Sequence, residues 1–198
     1  MEWNVALDPC AIVCLLRSAV HVNIYPCADS EGPFSVSTGN TYYRLTNLSF
    51  IRDMAPQLRR YLKFALGRLC RCDFLRAMDY DWECDPADQR LSQPHNVWET
   101  QVWMQASGRV LARLPNSPWR IVQPTELTAV HQIVEDSLLP CTVDVYDDGR
   151  YWLNALPTDQ ALSATKWFYQ RPDPLSQQLA FSEALPALYL SFRRDSIP

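Results

Sequence analysis

The sequence predicts an α+β fold. A mainly antiparallel sheet, built from hairpins, is packed by one long amphipathic helix at about 53–78 and one or two shorter helices. Three observations predict this. Gly39-Asn40, Ser107-Gly108 and Asp147-Asp148-Gly149 each separate two stretches rich in β-formers. Ile51, Met54, Leu58, Tyr61, Leu62, Ala65, Leu69 and Cys72 recur at helical spacing along one segment. Hairpin signals outnumber β-α-β units, which argues against a mostly parallel sheet.

The elements follow in order. Asp8 and Pro9 read as an N-cap and a first helical position, so a helix runs over 9–19. Ile12, Val13, Leu15, Leu16 and Val20 cover most of its circumference, which predicts a largely buried helix. A strand at 20–25 ends at Pro26. The first hairpin joins 34–38 to 41–45, and the long helix follows, with Asp53 as its N-cap and Pro56 in its first turn. Positions 79–85 alternate strictly, with Tyr80, Trp82 and Cys84 on one strand face and four carboxylates on the other. The second hairpin joins 97–105 to 109–114, and 119–122 is a short strand. Thr125 caps a helix through Leu138, with Leu127, Val130, Val134 and Leu138 on its apolar side. The third hairpin joins 142–146 to 150–154. A helical turn at 157–164, a strand at 166–170, a helix at 174–184 and a closing strand at 187–193 complete the chain.

The 198 residues suffice for one domain, 1–198, with a sizeable core. The formal net charge of −4 argues against a wholly basic nucleic-acid protein. Seven basic and two acidic residues fall between Arg52 and Arg76, so the rest of the chain carries −9. Cysteines stand at 10, 14, 27, 70, 72, 84 and 141. This odd set in a chain of this length does not read as a disulfide framework. Glu2 and an apolar run of only 11–16 do not form a signal peptide, and no stretch reaches 18 apolar residues. A cytoplasmic or otherwise intracellular protein with reduced cysteines is expected.

Three constellations carry candidate chemistry. Arg52, Arg59, Arg60, Lys63 and Arg71 form the basic face of helix 53–78, which suits phosphates or another polyanion. The acidic run 79–85 offers the same cations a simpler role as ion-pair partners. Cys10, in the first turn of its helix, is placed where a helix dipole favours a thiolate, and His95 is its candidate base. Cys70, Cys72, Cys84 and His95 offer a zinc-type ligand set. However, Cys70 and Cys72 on one helix would point about 200° apart, so the helix would have to end near Leu69. His21 and His131 read as strand and helix residues without a ligand role. Glycines at 32, 39, 67, 108 and 149 build no phosphate loop, and no Gly-x-Ser-x-Gly elbow occurs.

Aromatic residues and Arg favour recognition surfaces. Trp3, Trp167, Phe168 and Tyr169 are the aromatics expected at the surface, whereas Trp82, Trp98, Trp103, Trp119 and Trp152 are expected in the core. The leading expectation is a non-enzymatic intracellular protein-interaction or regulatory protein. Its partner is another protein, and it needs no cofactor, metal ion or membrane. Nucleic-acid or polyanion binding through helix 53–78 is the alternative. A cysteine-dependent hydrolase or transferase using Cys10 and His95 is a further one.

Overall fold

The computed structural model describes residues 3–66 and 91–192. It is α+β with predominantly antiparallel pairing. The described residues fall into two compact units: 3–42, 98–106 and 134–177 form one, and 43–66, 91–97, 107–133 and 178–192 form the other.

The first unit is built on a four-stranded sheet. Its strands are β1 (Val22–Ile24), β9 (Lys166–Gln170), β7 (Ser137–Val145) and β8 (Tyr151–Ala155), in that spatial order. β7 pairs antiparallel with both β8 and β9, while β1 lies parallel to β9 with Val22 opposite Lys166. Helices α1 (Trp3–Leu7) and α2 (Pro9–Arg17) precede the sheet. Asp8 Oδ1 accepts from Ala11 N at 2.9 Å, so the expected N-cap is present. Ile24, Cys141 and Phe168 form the core of the sheet's inner face, with Leu16 of α2, Val22, Leu139, Val143, Tyr151 and Leu153 packed around them. Val13 is the buried residue of α2 and Leu15 is 41% exposed, so α2 lies on the sheet through one stripe instead of being largely buried. Buried Lys166 donates from Nζ to the carbonyls of Ser18 and Val20, each at 2.8 Å, and so satisfies oxygens just beyond the helix end.

Gly149 closes the β7–β8 hairpin with φ +85°. A Cβ there would meet Val5 Cγ1 at 2.8 Å and Pro9 Cβ at 3.2 Å. Gly108 also has positive φ, but a Cβ there meets open space. Gly149→Ala is therefore expected to cost more than Gly108→Ala. Strain accounts for about 1 kcal/mol or more at each position, and the clash adds to it only at 149. Equal shifts in urea midpoint for the two variants would remove the steric part of this argument.

The second unit holds two small sheets. β2 (Tyr43–Leu45) pairs antiparallel with β3 (His95–Val97). β4 (Val110–Arg113) lies between β5 (Arg120–Val122) and β6 (Gln132–Val134). A 3-10 turn over Ser49–Asp53 leads to α3 (Pro56–Leu66). Of the expected apolar side, Ile51, Met54 and Leu62 are buried, whereas Tyr61 and Ala65 are exposed. Residues 67–78 of the expected helix and the expected strand at 79–85 lie outside the described residues. The last helix, α5 (Pro174–Ser191), packs Phe181 on Tyr43 of β2, with ring centroids 4.1 Å apart. Gln178 lies beside β2 like an added strand residue. Its Oε1 accepts from Arg44 N at 2.8 Å and its Nε2 donates to Arg44 O at 2.7 Å.

Four sequence expectations are corrected. Residues 34–38 form no strand, because side chains claim the backbone groups a ladder would use. Asp29 Oδ2 accepts from Gly39 N and from Ser37 Oγ, and Asn40 Nδ2 donates to Ser35 O at 2.9 Å. The stretch expected as a strand at 97–105 contains helix α4 (Thr100–Ala106), which buries Gln101 and Met104 at i, i+3 spacing. The helix expected from Thr125 is instead a 3-10 turn at Pro124–Glu126, followed by β6 and β7. Glu126 Oε1 closes that turn by accepting from Gln123 N at 2.8 Å. The closing strand does not form through Ser191, because α5 continues with Pro186 inside it.

Candidate functional site

β8 stands at one end of its sheet, with β7 on one side. Leu156 N donates to Pro140 O at 2.8 Å and Tyr146 N to Arg150 O at 2.9 Å. The antiparallel alternation then turns the N–H and C=O of Leu153 and Ala155 away from β7, toward the side where no described strand pairs. Sheet edges in proteins are commonly blunted by charge, Pro or a bulge. Tyr151–Ala155 carries no charged residue and no Pro.

Trp152 is 67% exposed on this strand. Tyr151 and Leu153 pack toward the α2 side, so Trp152 and Asn154 stand on the opposite face. There Trp152 pairs across the ladder with Asp144, and Asn154 Nδ2 donates to Asp144 Oδ2 at 2.8 Å. The result is an exposed indole beside a fixed carboxylate–amide pair, on a strand that pairs with β7 alone among the described residues. Trp103, on α4, is 73% exposed. These two tryptophans were expected in the core, whereas Phe168 and Tyr169, expected at the surface, are buried. Period 2 places Trp152 opposite Leu153 correctly, but only the position of α2 decides which face is covered.

A polar cluster occupies another part of the same unit. Asp136 precedes β7 and is half-buried. Gln105 Nε2 donates to its Oδ1 at 2.8 Å, Gln177 Nε2 to its Oδ2 at 3.0 Å, and Gln101 Nε2 also to Oδ2. The Tyr25 hydroxyl donates to Gln105 Oε1 at 2.9 Å, and the Tyr169 hydroxyl to Gln177 Oε1 at 3.1 Å. Burial pushes the Asp136 carboxyl above the usual carboxylate range, against hydrogen bonds from Gln105, Gln177, Tyr169 and Gln101 that pull it down. Burial, with the charge of Asp136, also pushes the Tyr25 phenol up.

The residues singled out from sequence are distributed as follows. Arg52 is exposed in the 3-10 turn, while Arg59 and Arg60 on α3 are only half-exposed. Arg59 Nη1 donates to Arg52 O at 3.4 Å. Lys63 is on the same helix, and Arg71 lies outside the described residues. Cys10 is an exposed free thiol in the first turn of α2, in one unit; His95 begins β3, in the other. Cys70, Cys72 and Cys84 lie outside the described residues. Among the described residues no three His, Cys, Asp or Glu side chains group closely enough to hold a metal ion. Among them also, no helix is long and apolar enough to cross a membrane. Sequence reasoning missed Asp136 and its glutamines, which carry no motif and come from separate elements.

No protein-family model, no curated protein and no solved structure matches this chain.

Proposed function

We propose that the chain is a non-enzymatic intracellular interaction protein that takes an extended segment of another protein along β8. The observation that carries this reading is the uncharged edge at Leu153 and Ala155, which pairs with no second strand among the described residues, with Trp152 exposed beside it. An added strand gains main-chain hydrogen bonds from the outward groups of Leu153 and Ala155, and side-chain selectivity from the face bearing Trp152, Asp144 and Asn154. Exposed Trp residues are frequent binding hot spots. The polyanion reading draws less support, because Arg59 and Arg60 are half-covered and Arg59 reaches a backbone carbonyl.

A random library of ten-residue peptides, selected on the whole chain, tests the proposal. Selected peptides are expected to lose about 30-fold in affinity on Trp152→Ala, the size of a hot-spot loss of about 2 kcal/mol. Ala155→Pro removes one outward N–H while leaving the β7 ladder intact, and is expected to weaken the same peptides. Trp103→Ala is the control for nonspecific adhesion to an exposed indole and should change nothing. Selection of no peptide, or of peptides indifferent to both β8 variants, would overturn the reading.

A further inference from the structure

The β7–β8 hairpin carries three carboxylates, those of Asp144, Asp147 and Asp148. Two of them already hold a cation. Asp147 Oδ1 accepts from Arg17 Nη2 at 2.7 Å, and Asp148 Oδ2 accepts from Arg150 Nε at 2.7 Å. Arg150 is further engaged over the Tyr146 ring, with its Cζ 5.6 Å from the centroid. Asp144 has no cation among the described residues. Its Oδ2 accepts from Asn154 Nδ2 at 2.8 Å, and among the described residues no donor reaches its Oδ1.

One negative charge therefore stands uncompensated beside the exposed indole of Trp152. In the free chain water solvates it. A partner that covers this face takes part of that water away, and a desolvated carboxylate without a counter-ion is costly. A partner gains most here if it brings a cation.

The ladder says where that cation belongs. Trp152 pairs with Asp144, and its N–H and C=O turn toward β7. A strand added antiparallel along Leu153 and Ala155 sets one residue opposite Trp152 in a non-hydrogen-bonded pair, the kind in which side chains approach more closely. That side chain stands on the same face as Trp152. Its backbone lies two strand spacings, about 10 Å, from β7. A short side chain ends over the indole. An Arg or Lys stem lies along the ring and carries its charge on to Asp144. Arg suits the place better than Lys, because a planar guanidinium stacks on an aromatic face and offers a fork of N–H donors to a carboxylate.

We propose that the face formed by Trp152, Asp144 and Asn154 selects an arginine of the partner segment, at the position opposite Trp152, with its guanidinium over the indole and an N–H donated to Asp144 Oδ1. The inference rests on the reading of β8 as the docking edge and adds the charge of the ligand to it. Asn154 is a positioning residue: its hydrogen bond holds the carboxyl through Oδ2 and leaves Oδ1 to the incoming donor.

The test uses the ten-residue peptides selected on the whole chain. Those that lose affinity on Trp152→Ala should carry Arg at one fixed position. Replacing that Arg by citrulline keeps its shape and removes its charge. By calorimetric titration this is expected to weaken binding about ten-fold, the joint size of an exposed cation–π contact and an exposed ion pair. On the Asp144→Asn chain the same replacement should cost only about three-fold, the cation–π share alone. Asp144 is exposed and Asn can still accept from the Asn154 amide, so this variant keeps the fold. Peptides that need Trp152 but carry no cation at a fixed position would overturn the proposal and leave β8 as the docking edge. An equal citrulline loss on the two chains would do the same. Selection of no peptide, or of peptides indifferent to Trp152, would overturn both readings.

Discussion

Arg171→Leu is expected to destabilise the chain by about 3 kcal/mol or more, because three acceptors each lose a donor at about 1–3 kcal/mol apiece. Arg171 is fully buried just after β9. Its Nε donates to Ser37 O at 2.7 Å, and its Nη2 donates to Asn40 Oδ1 at 2.9 Å and to Tyr42 O at 2.8 Å. Its backbone N donates to Thr38 O at 3.0 Å. Ser37, Asn40 and Tyr42 are themselves buried, so water does not replace the missing donors. The guanidinium fork is what fixes residues 37–42 in a conformation that no strand ladder supports. Arg171→Lys should recover little, since one ammonium cannot reproduce donors spread over the fork. Urea unfolding measures both variants; a loss below about 1 kcal/mol for Arg171→Leu would show that the loop holds without its anchor.

Phe181→Ala is expected to cost about 3–5 kcal/mol, the range for removing a large aromatic from a packed core. Phe181 and Tyr43 are both fully buried and stacked, with Ala180, Ala184 and Leu185 buried on the same helix. The two alanines have no reach to fill the space a phenyl ring leaves. Arg171 and Phe181 belong to different units of the fold. If the chain unfolds as the one domain expected from its length, both substitutions move the same calorimetric transition. Two transitions, each moved by one substitution, would instead show two domains.

The legible parts of the fold are those with local physical causes. Asp8-Pro9 announces α2 because an Asx cap and a preset φ act within four residues. Gly149 announces the β7–β8 turn because the turn needs a positive φ there. Lys166–Gln170 is a run of β-formers, and it forms a strand. The helix expected from Thr125 had correct spacing at Leu127, Val130, Val134 and Leu138, but its later residues pair with distant strands, which local periodicity cannot register. The same limit explains the site. Whether β8 is an edge depends on strand order, and whether Trp152 is exposed depends on where α2 lies. The Asp136 cluster joins positions 25, 101, 105, 136, 169 and 177, and neutral glutamines leave no charge pattern to read.

The parallel pairing of β1 with β9 has a consequence during synthesis. Val22 waits for Lys166, which lies 144 positions later in the chain. At roughly 5–20 residues per second the ribosome needs about 7–29 s to supply it. The β7–β8 hairpin, with a short loop, can close as soon as it emerges. Among the described strands β1 has no partner until β9 arrives, so its apolar residues are exposed for that interval, whereas the inner stripe of α2 can first be covered by the β7–β8 hairpin. A chaperone that holds the nascent chain would therefore act on β1, and release would follow the emergence of β9.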